Sequence, residues 1–362
     1  MREELDLHGK KKALILLAVP LIAVLLFSAG LLINKGSLSQ KKLTNSILSE
    51  ESVSEGWKRL CLENEFSAIF EQGEVIWAGG RDGVFKFDKK NIEFAGKLKL
   101  VPALTYVRGM VADNDNRLFI ASQEGLVIVE KGQTRFITTD DGLPDNRVNC
   151  IMKDEQGAIW VGTWGGAAVF RDGSWKTLKT GDGLYNDMVN VLFQDSSGGI
   201  WFGAYAVKNG GISCLKDDNW YCFNLSNGLP NENVTSVYED ASGGVWCGTG
   251  FLDKGGACRF VYKDGKPVLE TVLLKTDGLA GEKVRSIFDD STGSVWFCSE
   301  YDGTALFNNG KTVLLNVKDG LSDPEIKAGI TDHEGNLWLA ARKGVTYISR
   351  EALEKLKDRF KY

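Results

Sequence analysis

Histidine is almost missing from this chain: His8 and His333 are the only two in 362 residues. Seven cysteines are present, yet none forms a Cys-x-x-Cys pair. The usual nitrogen and sulfur sets for zinc are therefore not expected, and no haem-attachment motif occurs. Neither a metal nor any other cofactor is expected. Basic blocks are absent outside the N-terminus and the formal net charge is −5, so the electrostatic footprint of a nucleic-acid-binding protein is missing and no nucleic-acid partner is expected. Proline is scarce, at six residues, while 43% of the chain is apolar, leaving ample material for a large core.

What the chain does have is repetition. Trp77, Phe119, Trp160, Trp201, Trp246, Trp296 and Trp338 stand 42, 41, 41, 45, 50 and 42 residues apart, each inside a short apolar run. A stride of about 40 to 45 residues is that of four-stranded propeller blades, and seven units are counted. In each unit a first apolar run (Val148 with Ile151, Val189 with Leu192, Val234 with Val237, Val284 with Ile287) reads as an inner strand. It ends in DEQG, DSSG, DASG, DSTG or DHEG, with Asp first and Gly fourth as a type I turn prefers. The Trp strand follows, then a Gly-rich connection, a third strand, and a polar hairpin into a fourth strand headed by Trp175 or Trp220. DGL or NGL closes the unit, Gly supplying a positive φ and Leu an apolar plug between blades.

The termini complete the pattern. Trp57-Lys58-Arg59-Leu60 matches Trp175-Lys176-Thr177-Leu178 but arrives before the first full unit, and the seventh unit supplies only three strands. Pairing the spare strand, Trp57 to Leu62, with the blade of Trp338 would close the ring and remove exposed sheet edges. The expected fold is all-β: a single seven-bladed propeller over residues 56–349, closed by an N-terminal strand. Residues 350–362 have helical spacing, with Leu353, Leu356 and Phe360 on one face, and are read as a cap on the rim. Residues 35–55 are read as a polar linker. Residues 13–34 hold an uncharged apolar run, Ala13 to Ile33, that as a helix would span about 31 Å, enough to cross a bilayer. Lys10, Lys11 and Lys12 precede it, which places residues 1–12 in the cytoplasm and the propeller outside. A cleaved signal peptide ending near Ser28-Ala29-Gly30 is the rival, but Leu31, Leu32 and Ile33 prolong the run and favour an uncleaved anchor.

Stretches such as DGLPDNRVNCIMKDEQGAIWVGT and NGLPNENVTSVYEDASGGVWCGT resemble the two-component regulator propeller repeats of bacterial hybrid sensors. The resemblance spans Gly56 to Ser349 and is tightest in blades three to six. It implies a sensor of an extracellular ligand, often carbohydrate, that signals through a membrane to a histidine kinase. Because no kinase follows in this chain, the implied partner is a separate signalling protein. The implied location is a bacterial inner membrane, single-pass, with the propeller in the periplasm or outside.

Candidate site residues are those the scaffold leaves unexplained. Asp154, Asp195, Asp240, Asp290 and Asp332 begin turns, and no histidine falls on a strand facing the channel, so no catalytic residue is assigned. The connections between second and third strands open on one face of the ring, where loops build sites. Four residues after each second-strand aromatic stand Arg81, Gln123, Trp164, Tyr205, Gly250, Glu300 and Arg342, and Phe251 and Tyr301 lie in longer loops nearby. Of ten Trp residues only Trp164 has no place in the repeat. Aromatic platforms beside Arg and amides suit sugar faces or aromatic ligands. The expected ligand-binding set is Trp164, Tyr205, Arg81, Arg342, Gln123, Phe251 and Tyr301, converging at the channel mouth. The expected function is a membrane-anchored ligand-binding or sensory module, not an enzyme; a lyase or glycan-active hydrolase on the same scaffold is the alternative. Export also predicts some oxidised cysteines, with Cys247 and Cys258, and Cys214 and Cys222, as candidate pairs across hairpins; the alternative is that all seven are small apolar fillers of the core.

Overall fold

The Asp-x-x-Gly turn does more than reverse the chain. In the computed structural model, which describes residues 50–361 apart from 101, 207 and 208, Asp154 accepts the Ala158 amide at 2.8 Å through one oxygen and the Trp160 indole N–H at 2.8 Å through the other. The same bond joins Asp195 to Trp201 at 2.6 Å, Asp240 to Trp246 at 2.8 Å, Asp290 to Trp296 at 2.8 Å and Asp332 to Trp338 at 2.9 Å. A buried indole needs an acceptor, and this carboxylate supplies it, so Trp201, Trp296 and Trp338 can be fully enclosed. The two weaker repeats lack the bond for visible reasons. Trp77 donates to Gln72 at 3.0 Å instead, and where Phe119 replaces Trp the carboxylate of Asp113 turns to Arg117 at 2.6 Å.

The DGL elements form a second recurrent device. Each is a single 3-10 turn whose last residue folds back to accept the amide three positions earlier: Asp141 from Thr138 at 3.0 Å, Asp182 from Lys179 at 2.9 Å, Asn227 from Asn224 at 2.6 Å, Asp277 from Leu274 at 2.9 Å and Asp319 from Asn316 at 3.0 Å. The next residue, Gly142, Gly183, Gly228, Gly278 or Gly320, has φ between 108° and 129°, where a side chain would be strained. The Leu after it is at most 5% exposed in all five units. Trp175, Trp220 and Trp57 lie over Gly142, Gly183 and Gly320, so these fourth-strand tryptophans occupy one equivalent slot.

Six four-stranded sheets and one five-stranded sheet result. Their inner strands, Phe66–Gln72, Gly109–Ala112, Val148–Lys153, Val189–Gln194, Val234–Glu239, Val284–Asp289 and Ile326–Thr331, neighbour one another in sequence order, the last touching the first, which makes a closed seven-bladed ring. Closure is by strand exchange. Trp57–Leu60 pairs antiparallel with Val345–Ile348, Trp57 opposite Ile348 and Leu60 opposite Val345. The strand ends at Leu60 rather than Leu62, because Cys61 turns the chain with a φ of 52°.

Two expectations need correction. Glu50–Ser54, inside the stretch read as linker, is a strand paired with Trp57–Leu60, a fifth strand on the seventh blade. Its residues are almost all exposed, so apolar content gave no hint of it; only Val53 packs inward. Of the cysteine pairs, Cys247 and Cys258 do sit directly opposite each other, but neither they nor Cys214 and Cys222 are joined by a disulfide. Cys214 faces Tyr221 while Cys222 faces Ser213, so these two neighbours in register point to opposite faces of their sheet and cannot be bridged.

Arg350–Lys357 forms the helix, begun by Ser349 accepting from the Ala352 amide at 3.3 Å. Ala352 and Leu353 are buried, and Leu356 and Phe360 pack on the same cluster as Trp57 and Val53. The apolar run read as an anchor lies outside the described residues. Among the described residues no helix is long and apolar enough to cross a membrane.

Candidate functional site at the channel mouth

One position in every blade departs from regular pairing. Ser67, Asn149, Asn190, Thr235, Arg285 and Lys327 are each the extra residue at a register shift in an inner strand. In the second blade Arg108 holds the same place just before Gly109–Ala112, its amide bonded to Ala121 at 2.9 Å. A bulge re-aims its residue, and here all seven side chains line the central channel around a cavity of about 270 Å³. Each follows a fully buried apolar residue, Phe66, Val107, Val148, Val189, Val234, Val284 or Ile326.

The seven divide by chemistry. Ser67 donates to the Val107 carbonyl at 2.7 Å, Asn149 to Val189 at 3.1 Å, Asn190 to Val234 at 3.0 Å, and Thr235 to Val284. Each of these acceptors belongs to the next blade, though Thr235 also reaches the Gly248 carbonyl of its own blade at 3.0 Å, so the neutral members stitch neighbouring inner strands together. The cationic members reach elsewhere. Lys327 bonds Glu65 at 2.6 Å and lies 3.6 Å from Glu325. Arg285 stands 3.7 Å from Glu325. Arg108 has no ion-pair partner among the described residues, and enclosure by the ring wall, followed by the like charge of Arg285, lowers its pKa from the ordinary value.

Above the ring opens a second cavity of about 260 Å³, lined by Trp164, Met188, Tyr205, Lys283 and Glu300 together with four ring members, Arg108, Asn149, Asn190 and Arg285. The two cavities are neighbours that share those four wall residues. Trp164 is 41% exposed and leans over the wall, its indole donating to the Asn149 side chain at 2.6 Å, with the Arg147 guanidinium 5.0 Å from its ring centroid. Lys283 is buried, paired with Glu300 at 2.7 Å and set 5.8 Å over the Tyr205 ring. Gly250 makes this possible, since a Cβ there would come within 2.6 Å of the Lys283 side chain.

The expected set is thus only partly together. Trp164 and Tyr205 line the mouth, and Phe251 stands beside Tyr205 with ring centroids 6.5 Å apart. Arg81 and Gln123 lie exposed in two-residue turns and do not line it. Arg342 is drawn off by Asp323 at 3.3 Å and Glu325 at 4.0 Å, and Tyr301 is 63% exposed. Convergence fails for these because a shared radius fixes where a turn sits, whereas local carboxylates and side-chain reach fix where its side chain goes. Asn146, Asn186 and Asn231 on the blade-to-blade loops are engaged with the Thr139 amide, the Asn209 carbonyl and the Lys254 carbonyl.

The seven ring residues were missed, although they recur at the same stride as the tryptophans; strict alternation has no slot for a bulged residue. Two larger grooves, about 620 and 480 Å³, lie between blades three and four and between blades five and six. They occupy the same place in the repeat, where adjacent blades splay from the axis, and are features of the architecture.

Comparison with known proteins agrees with the repeat. Residues 142–165 and 228–251 match the two component regulator propeller family. No curated protein matches the chain by sequence. Among solved structures, the chain is similar to the extracellular domain of the hybrid two component system BT3049 from B. thetaiotaomicron, with a TM-score of 0.67 and 20% identity, over 80% of this chain and 40% of that one. The chain thus spans well under half the length of that relative. Virginiamycin B lyase from Staphylococcus aureus aligns with a TM-score of 0.62 and 13% identity, over 81% of this chain and 98% of that one. YCF48 from Cyanidioschyzon merolae aligns with a TM-score of 0.61 and 12% identity, over 82% and 99%. At such identities these likenesses describe the fold alone.

Proposed function

We propose that this chain, built on two component regulator propeller repeats, is a ligand-binding sensory module that takes a small molecule at the channel mouth and reports it to a separate signalling protein. The observation that carries the reading is the meeting of Trp164 and Tyr205 with Lys283, Glu300, Arg108 and Arg285 around one cavity. Two aromatic faces give a floor for stacking, and the charged groups fix orientation, a combination suited to carbohydrate. The propeller is held outside the cytoplasm by residues 13–34 acting as an inner-membrane anchor, in keeping with the extracellular domain it is similar to.

Binding is favoured over catalysis by the state of the candidate acids and bases. Glu65 and Glu325 near the channel are committed to Lys327, and Glu325 also faces Arg285 and Arg342. His333 is 84% exposed in a turn between first and second strands, the opposite face from the mouth, bound to Glu71 at 2.6 Å. Titrating the full chain calorimetrically with a panel of mono- and oligosaccharides tests the reading. At least one should bind, and Trp164→Ala should weaken it about tenfold while leaving the melting temperature nearly unchanged. Unchanged affinity in that variant, or release of a modified sugar by the wild type, would overturn it.

A further inference from the structure

Four ring residues are neutral and spent on the next blade's carbonyls; the charged ones are distributed unevenly. On the seventh-blade side Lys327 has two carboxylates, Glu65 and Glu325, and Arg342 has Asp323 and Glu325. On the adjoining sixth blade Lys283 has Glu300. That leaves Arg285, which shares Glu325 only at 3.7 Å, and Arg108, which has no ion pair among the described residues. Both guanidiniums line the inner cavity and the mouth cavity. They raise each other's electrostatic cost: the charge of Arg285 is one reason that Arg108 holds its proton less tightly than usual. Two like charges lining one narrow, partly dehydrated channel are unfavourable, and Glu65 toward Arg108 and Glu325 toward Arg285 offset that cost only in part. A planar fork of N–H donors matches the geometry of a carboxylate or phosphate, and two forks on one cavity match it doubly.

We propose that the channel between Arg108 and Arg285 is an anion site, and that the ligand taken at the mouth carries a carboxylate or phosphate group that enters it while the body of the ligand rests on Trp164 and Tyr205. The inference rests on the mouth being the binding site, and it narrows the ligand to an acidic one. The neutral ring members supply no competing charge, since Asn149, Asn190, Ser67 and Thr235 point their donors at backbone carbonyls. Side-chain oxygen of Asn149 is occupied by the Trp164 indole, which ties the aromatic wall directly to the ring.

The test uses the full chain, with inorganic phosphate, D-glucuronate and neutral D-glucose as probes, read by calorimetry and by the shift in melting temperature. One or both anions should bind and raise the melting temperature, with an affinity that falls as salt is added. Arg108→Gln and Arg285→Gln should each lose about tenfold or more in anion affinity. Arg108→Gln should also melt no lower than wild type without ligand, because it removes a repulsion. Glucuronate bound more tightly than phosphate, with the excess lost in Trp164→Ala, identifies an acidic sugar; the reverse order identifies a phosphorylated ligand. If neither anion binds, or if both Gln variants bind them as wild type does, the anion site is wrong. Should neutral glucose bind in a Trp164-dependent, Arg108-independent way, the mouth survives as a sugar site and the anion inference alone falls. Should anions bind through Arg108 with Trp164→Ala indifferent for every probe, the anion site stands and the stacking floor falls.

Discussion

The two faces of this ring obey different rules. On the face of the Asp-x-x-Gly turns, five blades repeat one device, an aspartate oxygen holding the indole of the same blade at 2.6 to 2.9 Å. At the channel, equivalent positions hold Ser, Arg, Asn, Asn, Thr, Arg and Lys; the four neutral side chains bond a carbonyl of the next blade, and the cationic three do not. Repetition marks what every wedge needs in order to pack against its neighbour. Variation marks positions where the packing accepts more than one kind of side chain, and in this molecule those positions gather around one opening.

Three experiments would break or sharpen that contrast. The largest effect is expected at the seam, where Trp57 fills the slot held elsewhere by Trp175 and Trp220. Deletion through Leu62 removes the strand paired with Val345–Ile348 and should abolish cooperative unfolding. Deletion through Glu55 removes only the exposed outer strand Glu50–Ser54 and should leave a folded ring. Equal melting curves for the two truncations would mean that closure does not depend on the exchanged strand.

Next in size is the pair of tryptophans four residues apart. Trp160→Ala should cost about 3 to 5 kcal/mol in a denaturant titration, since the residue is buried and hydrogen-bonded to Asp154. Trp164→Ala, exposed and bonded only to Asn149, should cost about 1 kcal/mol. Similar losses would place Trp164 among the packing residues.

The smallest effect concerns acid. Burial alone would raise the pKa of Asp240, but hydrogen bonds from Arg259, Ser242 and the Gly244 amide outweigh it and hold the carboxyl well below its ordinary value. A depressed folded-state pKa gives stability that is present above the unfolded value, about 3.9, and is lost as pH falls through the lower folded value. Melting temperature measured from pH 5 downward should therefore fall less steeply for Asp240→Asn than for wild type. Parallel slopes would show that the Asp–Trp turn face is not where acid acts.

The fold was legible because its determinants are local and repeated. The Trp stride, the turn aspartates and the DGL glycines each act within one blade or on the next, and the spare Trp57 strand could be matched by comparing short strings. The strand Glu50–Ser54 was not legible, since a polar edge strand pairs through its backbone and carries no apolar signature. The candidate site was legible only in part. Trp164 stood out as a tryptophan with no scaffold role, and Tyr205 shared its position in the repeat, yet Arg342 and Arg81 shared that position too and went elsewhere.

What the amino-acid sequence determined by itself was the number of blades, their strand order, the seam and the composition of each repeated turn, because periodicity and turn chemistry act over a few residues. What only the tertiary structure decided was which side chains meet. The bulge that turns Arg108, Arg285 and Lys327 into the channel, and the pairing of Lys327 with Glu65 across the ring seam, depend on residues tens to hundreds of positions apart. Closing the ring brings them within a few ångströms, where Coulomb and hydrogen-bond energies become large enough to choose partners.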